Sequence, residues 1–187
     1  MTKHQEVVAE PSDVKKIKVA AIVEYHGAHF HGWQRQKHHP EPTIQAALED
    51  ALSKIANEAI SVVCAGRTDA GVHASTQVIH FETTAKRKPY NWVRGTNTQL
   101  PTGIAVRWMD EVDEEFHARF SATARRYRYL IYNKPVKQGL MHDQLTWCRF
   151  PLDEKLMHQA AQSLLGENDF TSFTAKDCQS NTPFRNI

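Results

Sequence analysis

The chain has 187 residues, enough for one large domain or two small ones around a buried core. Hydrophobic residues make up 41% and charged residues 24%, which excludes a disordered or low-complexity chain. The net charge of +2 excludes a uniformly polybasic protein, but it leaves room for a basic patch on one surface.

The first thirteen residues, MTKHQEVVAEPSD, carry no apolar run, so residues 1–13 read as a flexible tail and not as a targeting segment. No apolar stretch approaches the roughly 18 residues that a membrane span needs. A cytoplasmic location with no membrane contact is expected. Cys64, Cys148 and Cys178 are too few and too widely spaced for a disulfide framework or a CxxC metal knuckle. They read as reduced packing residues.

Residues 17–25, IKVAAIVEY, predict a mostly buried strand that ends at Gly27. A polar loop, AHFHGWQRQKHHPEP, follows. Ile44, Ala47, Leu48, Ala51, Leu52 and Ile55 then form the apolar stripe of a helix, with Thr43 as its N-cap. Ile60–Cys64 predicts a second strand, 65–74 a glycine-bounded loop, and Gln77–Thr83 a third strand. Pro89 suits the first turn of a helix through PYNWVRGTNTQL, and Pro101 closes it. Ile104–Met109 predicts a fourth strand, and the acidic run 110–115 a connector. The order is that of a split βαβ, ferredoxin-like unit. Farther on, strict alternation predicts a strand over Arg125–Asn133, a short strand over Trp147–Phe150, and a helix over Asp153–Leu165 with Asp153 as N-cap and Gly166 past its end. The domains expected are 14–112 and 113–187, the second lacking strands that would complete its sheet.

The segment with most chemical content is Gly66-Arg67-Thr68-Asp69-Ala70-Gly71-Val72-His73-Ala74. Glycines let a backbone turn tightly and approach a ligand closely. Arg67 and Asp69, two apart, point the same way in an extended loop and place a cation beside a carboxylate. A solvated aspartate is ionised at neutral pH and can act as a nucleophile or a base. Aspartate is also a common turn residue that does no more than bond backbone amides. These residues alone leave both readings open. The His26–His39 loop, with Trp33, Gln34, Arg35 and Lys37, mixes basic and aromatic residues in a way that suits an RNA stem better than a metal.

GRTDAGVHA resembles the active-site signature of the TruA family of pseudouridine synthases. VEYHGAHFHGWQRQ, TIQAALEDAL, WVRGTNTQLPTGIAV, FHARFSATARRYRYLIYN and GENDFTSF are similar to family stretches and occur in the family's order. The resemblance implies an α+β fold of two ferredoxin-like halves. These form one mixed or antiparallel sheet with helices on one face and a basic cleft between the halves. It implies that Asp69 is the nucleophile toward a uridine, that Arg67 helps to flip that uridine out, and that Tyr127 stacks on the uracil. Arg125, Arg126, Arg128, Arg35 and Lys37 are expected at the RNA backbone, with an interior charge partner as the alternative for one of the first three. The implied partner is tRNA, modified at positions 38, 39 and 40 of the anticodon stem-loop by a homodimer, with no cofactor and no metal. The family continues past the position of Ile187 with further strands and an Arg expected to pair with the nucleophile. The chain is therefore expected to be truncated, with weak turnover or RNA binding alone as the alternative.

Overall fold

In the computed structural model, residues 15–36, 41–174 and 182–187 are described. The chain divides into two compact units, 1–127 and 128–187. Among the described residues it is a mixed α+β structure with an antiparallel sheet and three α-helices.

The first unit is built around β1 (Ile17–Tyr25), the strand that the apolar run IKVAAIVEY dictates. It pairs antiparallel with β3 (Ala74–Thr83) on one side and with β4 (Ile104–Val112) on the other. β2 (Val63–Cys64) adds outside β3, so the sheet order is β2-β3-β1-β4. Alternate residues Val19, Ala21, Val23 and Tyr25 of β1 are buried. They join one cluster with Ile44, Leu48 and Leu52 of α1 (Ile44–Ala56) and Trp92 of α2 (Pro89–Gln99). Thr43 caps α1 by accepting the Ala46 N–H at 3.4 Å, and Asn57 ends it in the left-handed conformation at φ 60°.

Several element boundaries differ from expectation: β3 begins at Ala74, the short strand expected over Trp147–Phe150 covers Thr146–Cys148, and three more differ for reasons that the contacts supply. β4 runs on to Val112, and Asp110 to Val112 pair with Ala20 to Lys18 of β1 instead of forming a connector. An acidic side chain can project from a sheet while its backbone satisfies the neighbouring strand, so the polarity of the run hid it. β2 is shorter than Ile60–Cys64. The Ile60 N–H goes to Ser53 Oγ at 2.9 Å and the Val62 N–H to Glu49 Oε1 at 3.1 Å, which takes these donors out of any ladder. The alternation over Arg125–Asn133 yields ladder pairing only at Ile131–Asn133. Alternation specifies sidedness, but a strand needs a partner edge.

In the second unit, β5 (Ile131–Asn133) pairs parallel with β6 (Thr146–Cys148). The Asn133 side chain fastens the following turn by donating to the carbonyls of Cys148 and Phe150 and accepting the Leu152 N–H. Asp153 caps α3 (Glu154–Ala161) through the N–H groups of Lys155 and Leu156, and a 3-10 turn carries the helix on to Leu164. β7 (Glu167–Asp169) and β8 (Phe184–Asn186) form an antiparallel pair that no periodicity announced. No residue of α3 is buried. Among the described residues no helix is long and apolar enough to cross a membrane.

Candidate active site

The loop 65–73 leaves β2 and enters β3. Its first residue still belongs to the ladder, with the Ala65 N–H bonded to the Val78 carbonyl at 2.8 Å. Beyond it the loop is laced to the segment 27–33. Trp33 N–H donates to the Thr68 carbonyl at 2.9 Å, Gly71 N–H to the Phe30 carbonyl at 3.3 Å, and Gly27 N–H to His73 Nδ1 at 3.1 Å. The two segments touch so closely that side chains are excluded. A Cβ on Gly27 would stand 2.0 Å from the Val72 oxygen, and one on Gly32 would stand 2.9 Å from the Thr68 oxygen. Gly32 also needs its positive φ of 83°. Beneath the loop, Phe30 and Trp33 are buried. Trp33 thus belongs to the core, with its ring 6.1 Å from that of Tyr25, and offers no face to an RNA stem. Alternation with polar neighbours in HFHGWQ concealed an inward-pointing aromatic.

The Asp69 side chain is exposed, and the Val72 N–H closes the turn onto the Asp69 carbonyl at 3.2 Å. Among the described residues no hydrogen bond or ion pair of its carboxylate is seen. Both Arg67 and Asp69 face solvent from a backbone pinned on either side. An exposed, ionisable oxygen pair on a fixed turn is an arrangement suited to nucleophilic or base chemistry.

Positive charge gathers around this loop. Cys64, at the end of β2, has its thiol pushed up to about 11 by burial, against the opposing influence of the nearby guanidiniums of Arg67, Arg119 and Arg125. It is buried, as a packing cysteine should be. Arg125 is committed within the protein. Its Nε and Nη2 donate to the Ala65 carbonyl at 2.9 and 2.5 Å, and Nη2 also reaches the Arg119 carbonyl at 3.2 Å. Tyr127 is 73% exposed. Burial raises the pKa of Tyr25, hydrogen bonds with Thr68 and Gln77 lower it, and charge on Cys64 and Tyr127 adds to the rise. The Tyr127 phenol therefore lies within electrostatic reach of the residues that hold the loop.

The other expected residues are placed as follows. Arg126 is exposed in the first unit, and Arg128 is exposed in the second. Arg35 is held by α1, donating to Glu49 Oε2 at 3.2 Å and to Asp50 Oδ1 at 2.7 Å. Lys37 lies outside the described residues. Among the described residues, no group of three or more His, Cys, Asp or Glu side chains could hold a metal ion.

Residues 21–121 match the model of the tRNA pseudouridine synthase family, which spans the whole of the loop just described. The chain belongs to the tRNA pseudouridine synthase family. It is 58% identical over 171 residues to a protein of Photorhabdus laumondii, covering 91% of this chain and 64% of the relative. It is 54% identical over 180 residues to one of Cronobacter sakazakii (96% and 66%) and 56% identical over 171 residues to one of Yersinia pseudotuberculosis (91% and 64%). Each of these relatives is described as tRNA pseudouridine synthase A. The chain spans a little under two thirds of their length.

Two further residues, Arg119 and His80, escaped the sequence reading. Arg119 sits in the same quoted stretch as Arg125 and Tyr127, and its basic character was the available signal. His80 is buried on β3, and its Nδ1 accepts the Ala118 N–H at 3.1 Å, which pins the segment 116–121 to the sheet. Burial chiefly holds its pKa below the ordinary imidazole value, helped by the charges of His117 and Lys18 and opposed by Glu82. A lone histidine in a strand gives no local sign of such a bond.

Proposed function

We propose that this chain is the catalytic part of a tRNA pseudouridine synthase, an isomerase that converts uridine to pseudouridine in the anticodon stem-loop of tRNA at positions 38 to 40, with Asp69 as nucleophile. The observation that carries this reading is the solvent-facing Asp69 carboxylate, without a partner among the described residues, on a loop braced from both sides. Membership of the tRNA pseudouridine synthase family supplies the chemistry such a carboxylate would serve.

In the reaction, the bond from uracil N1 to ribose C1′ breaks, the base turns, and a bond from C5 to C1′ forms. N1 ends protonated and C5 loses its proton, so substrate and product have the same composition. No electron or group is left over for a cofactor to carry, and none is required. A uridine stacked in a stem must first be extruded, at a cost of a few kcal/mol. Arg67 is assigned to that step, because a guanidinium can stack on a base and pair with a phosphate at once. Tyr127, largely exposed, is assigned to the face of the extruded uracil, where stacking contributes about 1–3 kcal/mol.

The RNA backbone is assigned to Arg126, Arg128 and Lys37, together with Arg125 and Arg35, whose guanidiniums already have protein partners. The element order and the sheet order β2-β3-β1-β4 support reading the first unit as a ferredoxin-like half. The same reading includes domains 14–112 and 113–187, a homodimer, and a cytoplasmic location; the expected tail over 1–13 lies outside the described residues.

The test uses tRNA transcripts carrying uridine tritiated at C5, whose tritium is released as pseudouridine forms. Asp69→Ala abolishes release and leaves tRNA affinity within about threefold, because a nucleophile contributes to the transition state more than to ground-state binding. Release that survives Asp69→Ala refutes the assignment. Tight, salt-sensitive tRNA binding with no release from the unsubstituted chain would replace it with an RNA-binding role.

A further inference from the structure

Gln77 is a buried polar residue on β3, only 7% exposed, at a register position opposite Val23 of β1. Burying an amide among Ile79, Phe81 and Val23 is costly unless its polar atoms are all bonded. Here they are. Oε1 accepts the Gly66 N–H at 3.3 Å, while Nε2 donates to the Gly66 carbonyl at 2.5 Å and to the Tyr25 hydroxyl at 3.3 Å. The side chain thus pairs with Gly66 as a neighbouring strand would, taking both the donor and the acceptor of one residue.

The contact does not stop at Gly66. The Tyr25 hydroxyl shares a 2.8 Å hydrogen bond with Thr68 Oγ1. Tyr25 is itself buried and fixed in β1 beside the register shift between Val23 and Tyr25. Gln77 therefore holds the residue before Arg67 directly, and through one phenol it holds the residue before Asp69. Arg67 and Asp69 lie at alternate positions to the two anchored residues, so anchoring Gly66 and Thr68 inward turns the other two outward. We propose that Gln77, acting through Tyr25, is a positioning residue that sets the direction in which Arg67 and Asp69 are presented to substrate. The proposal rests on the synthase reading of Asp69 for its catalytic consequence, but not for the mechanical one.

The alternative is that Gln77 does no more than fill and satisfy the end of β3. The two roles separate in what they move. Gln77→Met keeps the length and removes every bond. Tyr25→Phe keeps the Gly66 clamp and removes the link to Thr68. Gln77→Glu keeps an acceptor for Gly66 N–H, but it can donate only while its carboxyl is protonated.

A displaced reacting group of about 1 Å costs on the order of a hundredfold in turnover, so kcat on tRNA falls about ten- to a hundredfold in Gln77→Met and Tyr25→Phe. KM and tRNA affinity change much less than kcat, within about fivefold, since of the residues assigned to the RNA only Arg67 is re-aimed. Burial raises the pKa of the introduced carboxyl, so Gln77→Glu recovers turnover relative to the unsubstituted chain as pH falls from about 8 to about 5.5, whereas Gln77→Met shows no such recovery. Independently of activity, hydrogen exchange at the Gly66 amide quickens at least tenfold in Gln77→Met, while Ile79 and Phe81 amides keep their protection.

Turnover within about twofold of the unsubstituted chain in Gln77→Met, or a parallel loss of kcat, affinity and folded fraction, overturns the catalytic positioning. Unchanged Gly66 exchange overturns the clamp itself. If the unsubstituted chain releases no tritium, the synthase reading and the catalytic consequence fail together, while the exchange measurement still decides whether Gln77 fixes the loop.

Discussion

The contact between Gly27 and the turn that carries Asp69 can be tested with a single methyl group. In Gly27→Ala the added carbon would lie 2.0 Å from the Val72 oxygen, 2.6 Å from its carbonyl carbon and 3.1 Å from the Gly71 carbon. Ordinary contact begins at 3.4 Å, which leaves a shortfall of roughly 1.4 Å. The obstructing atoms are backbone, so no rotamer change relieves the clash. Either the loop 66–73 or the segment 27–33 must move, and each is tied to the other through the Gly27–His73 and Gly71–Phe30 bonds. Overpacking of this kind costs about 1–3 kcal/mol, and each bond broken adds about 1 kcal/mol. A total of about 2–4 kcal/mol corresponds to a Tm lower by roughly 5–15 °C for a chain of this size. Displacing the turn by about 1 Å is also expected to lower turnover about a hundredfold. The assays are thermal unfolding by circular dichroism and tritium release from tRNA. Gly139→Ala is the reference, because a Cβ there meets nothing within 4 Å. A Gly27→Ala chain that melts within about 1 °C of Gly139→Ala would show that the turn is not seated on Gly27.

Two further outcomes follow from the arginine and histidine contacts. Arg125→Ala lowers the salt slope of tRNA binding by less than Arg126→Ala, which lowers it by about one, because the Arg125 guanidinium is tied to the Ala65 and Arg119 carbonyls and is less free to meet a phosphate; equal changes in the two slopes would show that these bonds do not hold Arg125 back. His80 accepts a hydrogen bond at Nδ1, so its ring is neutral with the proton on Nε2. Its folded pKa is lowered chiefly by burial, so the stability it contributes is present above the unfolded value of about 6.5 and is lost as pH falls through the folded one. Thermal unfolding measured from about pH 7 to about pH 5 should show a decline that is shallower in His80→Phe, and an unaltered slope would rule out His80 as its source.

The local features of the chain were legible without any coordinates. The run IKVAAIVEY, the stripe from Ile44 to Ile55 behind Thr43, and Pro89 at the head of α2 each act over a few neighbouring residues, and each element stands where it was expected. The loop around Asp69 was visible too, because glycine, arginine and aspartate at fixed spacing are a property of the string itself. What lay hidden depended on groups far apart in sequence. β2 is cut short because Ser53 and Glu49 capture amides of Ile60 and Val62. β4 extends into an acidic run because β1 offers it an edge. Trp33 turns inward, Arg125 is the arginine of its cluster that bonds interior carbonyls, and Gln77 reaches Gly66 across the loop. Propensity and periodicity report what each residue prefers beside its neighbours in the chain. Which donor meets which acceptor is decided only when folding brings distant segments within about 3 Å of one another.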